Sequence, residues 1–136
     1  MTKKFFSIII IFLSVVSAVA QENLNSERNQ SIQRGAAIYT DFCVNCHMTS
    51  GKGVAKVFPP LANSDFLMNN RNASIRAIKF GQNGEIVVNA VTYNSTMAPL
   101  GLSDDEIADV MNYITNTWGN SNSKMVTTEE VSKIEQ

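Results

Sequence analysis

The sequence has little cysteine, histidine and proline. Its 136 residues include two cysteines, one histidine and three prolines. One histidine excludes a metal site with two imidazoles from this chain. Two thiols and one imidazole are also too few for the four ligands of a structural zinc site. The cysteines stand three positions apart, so a disulfide between them would close a tiny loop and constrain little of the unfolded chain.

Charge is also sparse and almost balanced. There are 11 basic and 12 acidic residues, which gives a formal net charge of −1. This balance is neither that of a polybasic nucleic-acid surface nor that of a strongly acidic tail. We therefore expect no nucleic-acid partner.

The long apolar run of the sequence lies at its N-terminus. Lys3 and Lys4 precede an apolar stretch over residues 5–16, and residues 18–20 read Ala-Val-Ala, the pattern of a signal-peptidase site. The stretch is short for a membrane span. We therefore expect residues 1–20 to be a cleaved signal peptide and the protein to be periplasmic or otherwise extracytoplasmic, with no membrane attachment after cleavage. An uncleaved N-terminal anchor is the alternative.

The 116 residues after this segment are enough for one small domain. The apolar spacing of three segments is typical of amphipathic helices, with Ser31 as the first N-cap and Ser103 and Glu106 as a capping box on the last. The predicted helices are residues 31–46, 73–80 and 104–118. This is an all-α pattern of about three to five helices joined by long loops, and such loops need something to organise them.

The rest of the chain is divided by composition. Residues 21–29 are polar and are expected to be a flexible lead-in to a domain over residues 30–120. Residues 84–93 are expected to be extended, with room for a short hairpin. Residues 121–136 are expected to be a tail with one short helix, for which Thr127 and Glu130 form a weaker capping box.

The chemistry is concentrated in residues 43–47, which read Cys-Val-Asn-Cys-His. C-x-x-C-H is the attachment signal of c-type haem. Positions i and i+3 share a helix face, so the thiols of Cys43 and Cys46 can both reach the vinyl groups on one side of the porphyrin. The next residue, His47, then presents its imidazole to the iron. The sequence therefore predicts one haem c, held by two thioether bonds, with His47 as the proximal iron ligand.

Three other interpretations of the cysteine pair were weighed against haem. A thioredoxin-like dithiol would follow a buried strand, whereas the residues before Cys43 have helical spacing. A zinc site lacks ligands, as noted above. A plain local disulfide would leave His47 without a role. Haem attachment is the interpretation that uses all three residues.

The sixth iron ligand, if it comes from the protein, must be a methionine or a less common group, because no second histidine exists. Met48 adjoins His47, Met111 belongs to the apolar stripe of the last helix, and Met125 lies beyond it. Met97 stands in a loop 50 residues after His47, just ahead of a capped helix. We predict Met97 as the distal ligand, with Met68 as the alternative.

Taken together, these motifs resemble the class I cytochrome c family over about residues 30–120. The nearest likeness is to small bacterial cytochromes, including the haem domains attached to nitrite reductases, quinoprotein dehydrogenases and oxidases. The positions that carry the resemblance are Gly35, Tyr39, Cys43, Cys46, His47, Gly51, Gly53, 58–62 (Phe-Pro-Pro-Leu-Ala), Tyr93, Asn94, Met97, 102–104 (Leu-Ser-Asp), Glu106, Ile107, Tyr113 and Ile114.

The resemblance implies the all-helical cytochrome c fold around one haem. It implies that Gly35 permits a close crossing of the first and last helices, with Tyr39 packing against Tyr113 or Trp118. It also implies that the backbone carbonyl of Pro59 accepts a hydrogen bond from His47.

The resemblance also concerns residues near Met97, in the loop that is expected to supply the distal ligand. Tyr93 and Asn94 are its candidates for contact with the haem or with the Met97 loop. The family often has glycine where Asn63 and Ala90 stand, and proline where Ala98 follows the ligand methionine. Ala90 and Ala98 therefore indicate a slightly altered ligand loop.

These residues predict an electron-transfer protein rather than an enzyme, with no catalytic residue. Histidine and methionine ligands together leave the iron no vacant position for a substrate, and the thioether raises the haem potential. We expect a one-electron carrier, or the electron-transfer subunit of a dehydrogenase, reductase or oxidase, that meets its redox partners as a monomer or in transient complexes. The alternative function is a haem enzyme or gas sensor with an open sixth iron site.

Overall fold

The computed structural model describes the backbone of residues 2–136 and the side chains of residues 22–136. The predicted signal peptide, residues 1–20, lies outside the residues described with side chains. Among the described residues, no helix is long and apolar enough to cross a membrane. Ser31–Gln136 form one compact unit, separate from the residues before Ser31, and this unit is described below.

The first helix passes through the position where the sequence predicted its start. Helix α1 covers Thr2–Phe42, so residues 21–29 are helical and Ser31 is not an N-cap. The hydroxyl of Ser31 is fully buried and donates to Asp109 Oδ1 at 2.7 Å, a long-range contact. The prediction of a helix start at Ser31 was wrong, because the helix already covers the residues before it and its hydroxyl makes a tertiary contact instead.

Seven further elements follow along the described chain. A helical turn, α2, carries most of the cysteine motif, and a short helix, α3, was not predicted. Two strands form an antiparallel hairpin. The elements are α2 Val44–His47, α3 Asp65–Asn69, α4 Arg71–Phe80, β1 Ile86–Val88, β2 Val91–Tyr93, α5 Asp104–Ile114 and α6 Thr128–Ser132.

Local chemistry explains where these elements begin and end. The Ser64 hydroxyl accepts the Leu67 N–H at 3.2 Å and caps α3. Helix α4 ends at Gly81, whose φ of 85° is easy only for glycine. In α5, the N–H of Ser103 donates to Glu106 Oε2 at 2.8 Å, which confirms the predicted capping box. Helix α5 ends four residues earlier than predicted.

The hairpin explains one departure from the family pattern. Val88 pairs with Val91, and Asn89 and Ala90 form the turn with φ values of 51° and 61°. Two successive left-handed residues are typical of a type I′ turn, which matches the twist of the strands. Ala90 therefore stands in the hairpin turn, not in the loop that carries Met97.

Helices α1 and α5 cross closely at Gly35. A Cβ atom added to Gly35 would overlap the carbonyl oxygen of Asp109 and would lie 2.8 Å from the Cβ of Tyr113. Beside the crossing, the ring of Tyr39 packs against both predicted partners, with centroid distances of 5.4 Å to Tyr113 and 5.0 Å to Trp118. The close crossing is thus a contact of backbone on backbone, for which the missing side chain of Gly35 is necessary.

The segment after α5 is packed onto the domain instead of hanging free. Val126 and Val131 have no exposed surface. The Asn112 side chain accepts the Val126 N–H at 2.7 Å and donates to the Val126 carbonyl at 2.9 Å. Glu130 of α6 pairs with Arg71 of α4. Residues 121–136 therefore contribute to the same core as α4 and α5.

Candidate cofactor site

A cavity of about 330 Å³ lies in the Ser31–Gln136 unit. Its wall is formed by the end of α1, α2, the loop over residues 58–61, α3, α4, the hairpin, the loop over residues 95–100 and α5. Most of the side chains on it are apolar, and a few polar groups converge among them. This is the usual composition of a site for a small molecule or cofactor.

The cysteine motif lies on this wall. Cys43, Cys46 and His47 all line the cavity, and His47 is held by a 2.9 Å hydrogen bond from its N–H to the carbonyl of Cys43. Both cysteines are free thiols. Burial, together with the nearby charge of Cys46, raises the pKa of Cys43 to about 11. Helical spacing has therefore placed two free thiols and one imidazole at the same cavity.

The orientation of the imidazole is fixed by Pro59. The Nδ1 atom of His47 lies 3.0 Å from the carbonyl oxygen of Pro59. A carbonyl only accepts, so Nδ1 carries the proton and Nε2 is left as the metal-binding nitrogen. Burial lowers the pKa of His47, and the Pro59 hydrogen bond opposes this in part. The imidazole is thereby kept in the neutral form that a metal ion requires.

The Pro59 carbonyl is itself positioned by a tight loop. The N–H of Gly53 donates to the His47 carbonyl at 3.0 Å, and the Val54 N–H donates to the Phe58 carbonyl at 2.9 Å. Gly53 has a φ of 61°, and a Cβ atom on it would lie 2.7 Å from the Pro59 oxygen. The loop can therefore return to His47 only with glycine at position 53.

Met97 reaches the cavity from a distant part of the chain. Its backbone forms two 2.8 Å hydrogen bonds with Gln82, just after α4, so the loop is anchored where the side chain enters the site. Of the described methionines, Met97 lines the cavity, whereas Met111 is fully buried in the core and Met68 packs against that core. The structure thus brings Met97, and not Met68, to the site.

Tyr93 and Asn94, the two candidates that the family resemblance implied, differ in their position relative to the cavity. Tyr93 is buried and lines the cavity. Asn94 is exposed and is not part of the described wall. Successive residues of an extended segment point to opposite sides, so Tyr93 can face the cavity only if Asn94 faces away. The structure therefore places Tyr93, but not Asn94, on the described cavity wall.

Sequence reasoning missed the wall contributed by α4 and β1. Ser74, Ala77 and Ile78 line the cavity from α4, and Ile86 and Val88 line it from β1. The spacing i, i+3, i+4 on a helix and i, i+2 on a strand does mark one face. Nothing in the sequence, however, indicates that these faces look at the cofactor rather than at the core.

The residues present fit a covalently held haem. An apolar wall suits the porphyrin, the two free thiols can form thioethers, and a neutral imidazole and a thioether are donors for iron. The described residues contain no group of three or more His, Cys, Asp or Glu side chains that could hold a bare metal ion. One imidazole and one thioether are too few ligands for a bare metal ion but suit an iron that a porphyrin already holds.

Comparison with known proteins gives the same result. A family model described as cytochrome c matches residues 32–118. Cytochrome c-552 of Thermus thermophilus is 37% identical over 109 residues, which cover 74% of this chain and 82% of the relative. The cytochrome c subunit of a quinone alcohol dehydrogenase from Gluconacetobacter polyoxogenes is 32% identical over 82% of this chain but over only 24% of that subunit. The fructose dehydrogenase cytochrome subunit of Gluconobacter japonicus is 31% identical, over 77% of this chain and 24% of the subunit.

Proposed function

The chain belongs to the cytochrome c family, and on that premise we propose that it is an extracytoplasmic one-electron carrier with a single haem c. Haem c is the cofactor of the family, and its members transfer electrons instead of converting a substrate. When bound, the haem would supply the redox chemistry, which is the exchange of one electron. The chain's own residues hold the haem and supply the protein ligands of its iron.

Each residue of the motif has a distinct role in this proposal. Cys43 and Cys46 hold the haem through thioether bonds, which prevents its loss outside the cytoplasm. His47 offers Nε2 to the iron while Pro59 fixes its ring. Met97 would offer its thioether sulfur to the iron, which would favour the reduced state and raise the potential.

The observation that carries the proposal is the meeting of His47 and Met97 at one cavity. The two residues stand 50 positions apart, and separate backbone contacts fix each of them: Pro59 for His47 and Gln82 for Met97. If both bind the iron, no coordination position remains for a substrate or gas. An electron carrier needs this, whereas a haem enzyme or gas sensor needs an open position.

The proposal extends to location and partners. The sequence of residues 1–20 favours export and cleavage, so we expect the mature protein in the periplasm or an equivalent compartment. Cytochrome c-552 of Thermus thermophilus and the dehydrogenase subunits show that related domains occur in a small cytochrome and in larger redox assemblies. We propose that this domain exchanges electrons with such redox proteins through short-lived, modest interfaces.

The test is the optical spectrum of the haem-loaded protein and of two variants. The oxidised wild type is expected to show the methionine–iron charge-transfer band, Met97→Ala to lose it, and the control Met68→Ala to keep it. Loss of the band in Met68→Ala alone would identify Met68 as the ligand. Absence of the band from the wild type, with ready carbon monoxide binding after reduction, would contradict the carrier and favour an open-site haem protein.

A further inference from the structure

Lys79, near the C-terminal end of α4, differs from the other described lysines. Its side chain is only 18% exposed, whereas Lys52, Lys56, Lys124 and Lys133 are exposed. Lysine is rarely buried unless its ammonium group is paired, because the charge loses hydration when it leaves water. The partly buried position of Lys79 therefore indicates contacts that offset this cost.

The ammonium group of Lys79 joins three elements. Its Nζ atom lies 2.9 Å from Asp104 Oδ1, in the first turn of α5, and donates to the Val131 carbonyl of α6 at 2.9 Å. It also lies 5.6 Å from the ring centroid of the neighbouring Phe80. The end of α4, the start of α5 and helix α6 are therefore held together by one side chain.

The contact with Asp104 lies at one end of the loop that carries Met97. This loop runs from the end of β2, at Tyr93, to the start of α5, at Asp104. Its other attachment to α4 is the pair of backbone hydrogen bonds between Met97 and Gln82, which stands three residues after Lys79. The end of α4 thus holds the loop at two separate points.

These two attachments close a ring of chain. Residues 79–82 form one side and residues 97–104 the other, with the backbone hydrogen bonds at one end and the ion pair at the other. The two sides touch at Gly81, where an added Cβ atom would lie 2.7 Å from the Met97 oxygen and 3.0 Å from Pro99 Cδ. The loop can therefore move away from α4 only if one of the attachments opens.

We propose that Lys79 is a positioning residue for the distal iron ligand. Its ion pair with Asp104 holds the loop where the Met97 side chain enters the cavity. Lys79 is not part of the described cavity wall, so it acts through the loop and not by contact with the cofactor. The inference rests on the proposed function, because it requires haem in the cavity and Met97 as a ligand of its iron.

The proposal predicts how readily Met97 is displaced by an added ligand. Imidazole can bind the oxidised iron only in molecules from which Met97 has withdrawn, so its apparent affinity rises with the fraction of those molecules. Loss of the ion pair is expected to raise that affinity about fivefold. This factor corresponds to about 1 kcal/mol, the upper end for an ion pair that is partly exposed.

The experiment compares haem-loaded wild type with two variants of the ion pair, Lys79→Ala and Asp104→Asn. Glu130→Gln is the first control, because it removes the other ion pair between α4 and α6, at the opposite end of α4 from the loop. Asp105→Asn is the second, because it removes a carboxylate from the same first turn of α5 and leaves the Lys79 contact in place. Each oxidised protein is titrated with imidazole, and the loss of the methionine–iron band is followed.

We expect imidazole to bind Lys79→Ala and Asp104→Asn about fivefold more tightly than wild type. Both controls are expected to bind it as wild type does. If Lys79→Ala does not fold, Asp104→Asn carries the same test, since it breaks the same ion pair and keeps the shape of the side chain.

Wild-type affinity in either folded variant of the ion pair would overturn the inference. An equal rise in Glu130→Gln would also overturn it, because a loosened α6 would then explain the effect, and an equal rise in Asp105→Asn would assign it to the charge at the start of α5. These results would leave the proposed function intact as long as wild type shows the methionine–iron band. Absence of that band from wild type would instead remove the proposed function, and the inference with it.

Discussion

The hydroxyl of Tyr39 donates a hydrogen bond of 2.6 Å to the carbonyl oxygen of Met48. Met48 directly follows His47 and has a φ of 64°, a conformation that residues other than glycine rarely adopt. Helix α1 thus holds the point where the chain leaves the haem motif. The buried ring of Tyr39 packs against Trp118, whose Nε1 donates to the Thr49 carbonyl at 3.2 Å. Two aromatic residues, one in α1 and one in the segment after α5, therefore fix the same turn.

The first prediction concerns this hydrogen bond. Tyr39→Phe keeps the ring and removes the donor, so we expect the free energy of unfolding of the haem-loaded protein to fall by about 1 kcal/mol. Thr40→Ala, which removes an exposed local hydrogen bond one residue later, is the control and is expected to change stability less. Denaturant titration followed by far-UV circular dichroism measures both. Equal stability of Tyr39→Phe and wild type would show that the contact contributes nothing to folding.

The second prediction concerns the helix crossing. Gly35→Ala introduces a Cβ atom where the carbonyl of Asp109 already lies, so α1 and α5 must separate. Overpacking of a well-packed contact typically costs about 1–3 kcal/mol, and here the group that must move is backbone. Gln33→Ala, on the exposed side of the same helix, controls for helix propensity. If Gly35→Ala were as stable as Gln33→Ala, the close crossing would not be a requirement of the fold.

Much of the fold was predictable because its signals are local. The capping box of Ser103 and Glu106 depends on residues three apart, and the cysteine motif is contained in residues 43–47. The hairpin could be suggested but not located, because its turn uses Asn89 and Ala90 where the more usual signal contains glycine.

What could not be predicted depends on contacts between distant residues. Ser31 was expected to cap a helix because its residue type favours that role, but its hydroxyl reaches Asp109 instead. Residues 121–136 were expected to be a tail, yet Asn112 binds Val126 through both of its amide atoms. Nothing in either segment alone encodes these pairings.

The third prediction concerns the loop behind His47. In Gly53→Ala the new Cβ atom would press on the carbonyls of Phe58 and Pro59, which moves the Pro59 oxygen away from His47 Nδ1. That hydrogen bond raises the basicity of the imidazole as a ligand, so weakening it should favour the reduced iron. We expect the reduction potential of Gly53→Ala to rise.

Gly84→Ala is the matched control for this variant. Gly84 also has a positive φ, 87°, but an added Cβ atom would meet no atom within 4 Å. Both variants therefore introduce backbone strain, but only Gly53→Ala displaces the Pro59 carbonyl. Protein-film voltammetry should show a rise for Gly53→Ala only. An unchanged potential in both variants would mean that the Pro59 carbonyl does not tune the iron.

The fourth prediction concerns the ion pair that fastens α6 to α4. Arg71 binds both carboxylate oxygens of Glu130, at 2.5 and 2.6 Å, and also donates to the carbonyls of Lys124 and Met125. Its guanidinium holds the pKa of Glu130 below the ordinary value of 4.5. Glu129, the neighbouring residue, pairs with Lys133 at 2.6 Å but is 77% exposed.

Because the pKa of Glu130 is lower in the folded state, its stabilisation is fully present above pH 4.5 and is lost as the pH falls through the folded-state value. Glu130→Gln should therefore lose about 1–3 kcal/mol near neutral pH, since hydrogen bonds to charged groups are worth that much. The difference from wild type should shrink towards pH 3. Glu129→Gln should match wild type at every pH, because exposed pairs contribute little. Urea titrations of the three haem-loaded proteins at several pH values measure this, and a difference for Glu130→Gln that did not change with pH would assign the loss to packing rather than to charge.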